Sequence, residues 1–495
     1  MLLRTLTTWS CGLTLAGAVA ACGCSSFPPS KAVDKGASPA PATSWEPPAE
    51  AKLPPPTPPP APAIPPEYLK PGATLSLAQI LDVGLRNNPV TRTAWFQARS
   101  AAADVGSKQA AYYPTIELDG SVVRQRVAQP GGNATYLQTT YGPSASLTWL
   151  LLDFGGRSAD VEEAKRALYA ADYEHNSAIQ NVALAIAQSY YQYLNAKALK
   201  SAAEASLKSA QESLNSAQER HRAGVATIAD ELQARTVYSQ TQLALQSVEG
   251  QIQTLRGSLA TAIGVPANIP VEAGDLPADL NLDLVTETVD QLIEKAEAQR
   301  PDLAAARLNA MKAESHIQSV KAEGLPSLVA TGTAGRLFFY NPTGSPHPDT
   351  YSGALLLRVP IFTGWQNTYD IAKAREDAKV QWGLVETLTD QVILQVWTSY
   401  YNLRTASQQV RTARDLFASA EQSEQVALGR YKAGVGSILD LLAAQTAFAN
   451  ARAQEIQARS NWFLSLAQLA HDTGMLREGA GAPAPPSGKA GTGSP

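Results

Sequence analysis

The chain has 495 residues, 44% of them hydrophobic and 17% charged, with 40 Lys+Arg against 44 Asp+Glu and a formal net charge of −4. That length gives room for about two to four compact units at roughly 100–200 residues each, and the mild acidity argues against a nucleic-acid partner. All three cysteines (Cys11, Cys22, Cys24) lie near the start, which excludes a disulfide scaffold, a cysteine-ligated zinc site and a cysteine nucleophile in the body of the chain.

Met1-Leu2-Leu3-Arg4 and the small apolar run Leu13 to Ala21 read as a bacterial secretory signal over residues 1–21. Val19-Ala20-Ala21-Cys22 resembles a lipobox, in which cleavage leaves a cysteine that carries lipid. Ordinary cleavage after Ala20 or Ala21, leaving a stray thiol, is the alternative. Residues 39–71 hold 14 of the 33 prolines. Such a stretch forms neither helix nor ladder and is expected as extended polyproline II, so residues 22–72 read as a lipid-anchored Pro-rich linker. No apolar run after residue 21 reaches the roughly 18–20 residues of a membrane helix. A membrane crossing would have to be made by strands.

The body is duplicated. Asn88-Pro89 recurs as Arg300-Pro301 and Tyr113-Pro114-Thr115 as Leu325-Pro326-Ser327, both 212 residues apart. Ser189-Tyr190-Tyr191 recurs as Ser399-Tyr400-Tyr401, Arg222-Ala223-Gly224-Val225 as Lys432-Ala433-Gly434-Val435, and Asp230 as Asp440, each 210 apart. The repeats are assigned to residues 73–285 and 286–475, with a disordered tail over 476–495.

Each repeat predicts the same elements in the same order. First comes a helix broken by its proline, Leu75 to Ala111 and Val289 to Ala322. Next come two strands of about ten residues each, the length of a tilted bilayer-spanning strand. Ile116, Leu118 and Val122 alternate with Thr115, Glu117 and Ser121, and Tyr351, Leu355, Leu357 and Val359 form the last strand. A soluble sheet would give the same alternation. The helices that follow are more telling. No proline occurs between Pro143 and Pro266 or between Pro360 and Pro483, and residues 157–223 lack glycine. Those 67 residues, rich in Ala, Glu, Gln, Lys and Leu, predict one helix roughly 100 Å long. No compact domain has that diameter. Gly224 and Gly434 end the long helices, and Thr227…Asp230 and Ser437…Asp440 resemble capping boxes opening the return helices.

Four strands per chain cannot close a membrane barrel, whose smallest examples have about eight. Three copies would supply twelve strands; two or four copies are arithmetically open. The fold class is therefore mainly α with a small β part: antiparallel helical hairpins beneath paired strand hairpins, in an oligomer.

From about Leu75 to Gly474 the sequence resembles the TolC-type outer membrane efflux protein family. The most specific stretch is Arg430-Tyr431-Lys432-Ala433-Gly434-Val435-Gly436-Ser437-Ile438-Leu439-Asp440-Leu441-Leu442-Ala443-Ala444-Gln445. The resemblance implies a homotrimer with a 12-stranded β-barrel in the outer membrane and an α-helical barrel in the periplasm. It implies a passive conduit exporting drugs, metal ions, dyes or proteins, coupled to a periplasmic adaptor and an inner-membrane transporter; a protein secretion system and a non-transporting structural lipoprotein are the alternatives. It assigns Ala223, Gly224, Val225, Ala433, Gly434 and Val435 to adaptor-contacting tips, and Asp230, Tyr431 and Asp440 to a periplasmic gate. Gly436 stands where some relatives carry an arginine, so one donor of that gate is missing. Plain helix stops and caps would also account for the tip glycines and for Asp230 and Asp440. No catalytic residue, metal site or cofactor is expected: the chain lacks HExxH, a phosphate-binding G-x-x-x-x-G-K-[ST] and G-x-S-x-G. Outer membrane lipids, around the strands and at Cys22, complete the expected partners.

Overall fold

The computed structural model describes residues 74–128, 135–277, 280–340 and 347–476. The leader with Cys22, the Pro-rich linker and residues 477–495 of the tail lie outside them.

The first repeat opens with α1 (Leu77–Asn87) and α2 (Pro89–Gln109). Ser76 and Gln79 form a capping box at α1, and Asn88 both ends α1 and caps α2, with Pro89 in the first turn. The break falls where sequence placed it, because a proline cannot continue the hydrogen-bond ladder of the preceding turns. Strands β1 (Thr115–Ala128) and β2 (Thr135–Leu152) follow, then α3 (Gly156–Arg222) and its return helix α4 (Ile228–Ala262). The second repeat runs α5 (Val289–Gln299), α6 (Pro301–Glu323), β3 (Ser327–Arg336), β4 (Phe338–Phe339), β5 (Asp349–Arg358), α7 (Gln366–Lys432) and α8 (Ile438–Asp472). Helices α3 and α7 are each 67 residues long, and α4 and α8 each 35.

Two expectations are corrected. Strands β1 and β2 have 14 and 18 residues rather than ten, whereas β3 and β5 have 10 each. The extra length of β2 runs through Gly142 and Pro143, which pair with Ser121 and Gly120 inside the ladder. Gly142 is needed there: a Cβ would collide with the Arg336 carbonyl. The first helix begins at Leu77, not Leu75, because Leu75 instead bridges to Ala273.

The strands form one antiparallel sheet in the order β1-β2-β3-β5, with β4 paired to the far part of β2. The helices follow the same order. Beside the strands α2 packs on α3, α3 on α6 and α6 on α7; nearer the tips α4 packs on α3, α3 on α8 and α8 on α7. Every layer therefore ends on the same two flanks: β1, α2 and α4 on one side, β5 and α7 on the other.

Two apolar cores sit near the middle of the long helices. One gathers Ile80, Ile186, Tyr193, Leu194, Leu259 and Ile263; the other gathers Leu292, Val392, Val396, Val410 and Trp462. In each repeat the C-terminus of the return helix seats on the proline break. Asn88 Nδ2 donates to the Ala262 carbonyl at 2.9 Å. In the second repeat Arg300 takes that place, donating from Nη1 to Gln395 Oε1 at 2.6 Å and to the Asp472 carbonyl at 3.3 Å.

Candidate functional site

The sheet has two chemically distinct faces. Cross-strand partners lie on the same face of an antiparallel pair. The register aligns Ile116 with Leu147, Trp149 with Ala330, Ala330 with Leu355, and Leu328 with Leu357. That face is apolar yet uncovered in the single chain: Leu118 is 82% and Leu355 71% exposed. The opposite face carries the row Glu117–Ser146–Thr333–Ser352 and, beside it, Asp119–Ser144, with Thr333 Oγ1 and Ser352 Oγ 2.7 Å apart. An apolar face toward lipid and a hydroxyl-rich face toward water is the pattern of a membrane barrel wall. A soluble sheet would bury the apolar face instead. No helix among the described residues is long and apolar enough to cross a membrane.

The junction between sheet and helices in the first repeat is tied by one side chain that sequence reasoning missed. Arg157, in the first turn of α3, donates from Nη1 to the Leu150 carbonyl at 2.6 Å and the Ala111 carbonyl at 3.3 Å. Its Nη2 donates to the Leu151 carbonyl at 3.1 Å. It also lies over the Tyr112 ring at 4.9 Å and pairs with Asp153 at 3.4 Å. The carbonyls that end β2 are thereby satisfied without a further strand.

At the opposite end, α3 turns into α4 through Ala223-Gly224-Val225, and α7 into α8 through Ala433-Gly434-Val435. Gly224 and Gly434 adopt φ of +73° and +76°, the left-handed stop that glycine takes without Cβ strain. The Val225 amide returns to the Arg220 carbonyl and that of Val435 to the Arg430 carbonyl, at 2.9 and 3.0 Å. All of Ala223, Gly224, Val225, Ala433, Gly434 and Val435 are solvent-exposed.

The three gate candidates lie in different surroundings. Asp230 completes a capping box: its Oδ2 accepts from the Thr227 amide and hydroxyl, both at 2.9 Å. Only half of that box forms at the second tip. Ser437 Oγ accepts from the Asp440 amide at 3.1 Å, while the Asp440 carboxylate is exposed and meets no partner among the described residues. Tyr431 is buried with Leu214, Ala217, Ile438, Leu441 and Leu442. Arg220 lies over its ring at 4.2 Å and donates from Nη2 to its carbonyl at 2.9 Å, so a cation from the first hairpin reaches the tip of the second. Next to it, His221 Nδ1 lies 2.8 Å from Glu231 Oε2. That hydrogen bond holds the Glu231 carboxyl below its ordinary range against the opposing effect of burial, helped by Gln218 and Arg235. Sequence position signalled only that Arg220 and His221 sit in a basic last turn; their partners are distant in the chain or on the next helix. No group of His, Cys, Asp or Glu among the described residues is arranged to hold a metal ion.

A four-stranded membrane wall whose two edges are open among the described residues, continued by helices of 67 residues, defines one protomer of a barrel channel. The chain belongs to the outer membrane efflux protein family, which matches residues 80–265 and 292–475, one segment per repeat. Among curated relatives, Protein CyaE of Bordetella pertussis is 25% identical over 390 residues, covering 77% of this chain and 80% of the relative. The pyoverdine export outer membrane protein OpmQ of Pseudomonas putida is 26% identical over 447 residues, covering 87% and 89%. Among solved structures, VceC of Vibrio cholerae superposes with a TM-score of 0.69 at 19% identity, covering 80% of this chain and 96% of that one. The open state of the MtrE channel of Neisseria gonorrhoeae superposes with a TM-score of 0.68 at 21% identity, covering 81% and 90%. The protein is thus a bacterial outer membrane channel of the efflux and secretion type that extends into the periplasm, and not an enzyme.

Proposed function

We propose that three copies of the chain close into one continuous tube that carries exported molecules from a periplasmic adaptor and inner-membrane transporter to the outside of the cell. The observation that carries this reading is the agreement of the open edges. Among the described residues the same two flanks are unpartnered in the sheet and in both helical layers, and both expose large apolar side chains. Trp95 and Phe96 on α2 and Leu243 on α4 are exposed on one side, and Val380, Leu394 and Trp397 on α7 on the other. Two unlike edges joined head to tail generate a ring when the rotation closes. An open sheet edge in lipid leaves backbone groups unsatisfied at several kcal/mol each, so closure is obligatory. Three copies give the twelve strands of the family's barrel.

In this reading the chain supplies no energy; the transporter drives export. The exposed tips at Gly224 and Gly434 engage the adaptor. Tyr431 holds the two tips of one chain together at the inner end, Asp440 narrows that end, Asp230 contributes through the cap of α4, and Asp440 repeated around the axis makes a cation-attracting ring. Cys22 carries lipid and holds the N-terminus at the outer membrane. Native mass spectrometry in mild detergent tests the assembly: three copies are expected, and a stable monomer overturns the proposal.

A further inference from the structure

The duplication makes the two hairpin tips of one chain a template for a contact that a single chain cannot complete. Within the chain, the first tip (α3/α4) offers a surface that the second tip (α7/α8) fills. Ala217 and Ala234 are buried against it, and Arg220 reaches across to the ring and carbonyl of Tyr431. The filling side chains, Ile438 and Leu442, are 5% and 3% exposed.

Moving every position by the 210-residue repeat gives a second surface and a second set of filling side chains. The surface is present. Ala427, Arg430, Gly436, Asp440 and Ala444 line an open groove of about 570 Å³. Arg430, the counterpart of Arg220, is exposed and its guanidinium has no partner among the described residues. The filling side chains are also present but empty-handed. Ile228 and Leu232, the counterparts of Ile438 and Leu442, are 54% and 52% exposed on the opposite flank of the molecule. The same chemistry is thus buried at one tip interface and open at the other.

We infer that the groove of one copy receives the first-repeat tip of the next copy, with Ile228 and Leu232 seated over Ala427 and Ala444 and Arg430 reaching the neighbour's His221 and Glu231. This inference rests on the closed ring proposed above and adds the residues that join its tips. The target of Arg430 is prepared. The His221 carbonyl accepts from the Gly224 amide at 2.9 Å, as the Tyr431 carbonyl accepts from the Gly434 amide at 3.1 Å. The latter also takes the Arg220 donor, so the former has a second lone pair for Arg430. The charge is complementary as well. Where Arg220 lies over Tyr431, which shares one apolar cluster with Leu441, Arg430 would meet Glu231, the residue equivalent to Leu441, whose carboxyl the His221 hydrogen bond holds below its ordinary range. Arginine capping would then alternate around the tips, once within each chain and once between chains.

Thiol cross-linking of the full chain in detergent tests this, in a Cys24→Ser background run alone as the blank. The pair Arg430→Cys with His221→Cys, treated with a short bis-maleimide, should give covalent dimers and trimers on a denaturing gel. The pair Ala444→Cys with Leu232→Cys should do the same. Arg220→Cys with Tyr431→Cys should link within one chain and stay at monomer mobility. Native mass spectrometry of the same samples separates the two readings. Trimers without interchain cross-links from either pair would overturn the tip contact, and monomers would overturn the ring itself.

Discussion

Gly264 and Gly224 have nearly the same backbone, φ +77° and +73°, in opposite surroundings. Both end a helix, and alanine in the left-handed region costs about 1–2 kcal/mol at either. At Gly224 an added Cβ meets nothing within 4 Å, whereas at Gly264 it would lie 2.7 Å from Asn87 C and O and from Asn88 Cα. Those are backbone atoms at the α1–α2 break, and they are pinned: Asn88 Oδ1 accepts from the Val90 amide at 2.8 Å while Asn88 Nδ2 donates to the Ala262 carbonyl. Overpacking against a fixed neighbour adds roughly 1–3 kcal/mol. Gly264→Ala should therefore destabilise by about 2–5 kcal/mol and Gly224→Ala by about 1–2. Gly474 is the intermediate case, with Gln299 C at 3.1 Å and Arg300 N at 3.2 Å. The assay is the apparent melting temperature in one detergent at one scan rate, since large assemblies unfold irreversibly. The expected order of loss is Gly264 > Gly474 > Gly224. Equal shifts for all three would refute the docking of the return helices on the proline breaks.

Asp302 sits against the buried Arg300, with Oδ2 2.6 Å from Nη2; burial pushes its carboxyl up, but the Arg300 hydrogen bond and charge pull it below its ordinary value. A lowered folded pKa stabilises above the unfolded value of about 3.9 and is lost as pH falls through the lower folded one. Asp302→Asn should thus melt earlier at neutral pH, and its gap to the parent should close below about pH 4; a constant gap would exclude this pair as the cause. Asp440→Asn keeps the shape and removes an unpartnered charge, so it should reduce cation selectivity and block by multivalent cations, while unchanged conductance with a slightly lower melting temperature would leave Asp440 a helix-end residue only. Cys22→Ser should abolish lipid labelling and lipobox processing while trimers still assemble, and a parent chain without acyl mass would contradict lipidation.

The long helices were legible because their composition excludes every breaker: Gly156–Arg222 is one helix where sequence showed 67 residues without proline or internal glycine. The duplication was legible from short matches at a constant offset, and the alternation of Ile116, Leu118 and Val122 correctly assigned one face of β1. The true length of β2 was not, because Gly142-Pro143 is a turn signal taken alone and becomes strand only through its pairing with Ser121 and Gly120. The link from Arg220 to Tyr431 was also hidden, since the two residues are 211 apart and a basic last turn is already explained by the helix dipole. Arg157 was hidden for the same reason: a first-turn arginine has no signature that says it holds the ends of strands. What periodicity reveals is which elements exist. Which side chains tie one element to another is set by packing between distant segments.

Recording from purified protein in a planar lipid bilayer decides whether this chain forms a conduit. Discrete steps of current, uniform in size and favouring cations, are expected from a tube whose inner face carries Glu117, Ser146, Thr333 and Ser352 in register. Assembled, bilayer-inserted protein that passes no current would contradict a conduit and leave a structural lipoprotein in its place.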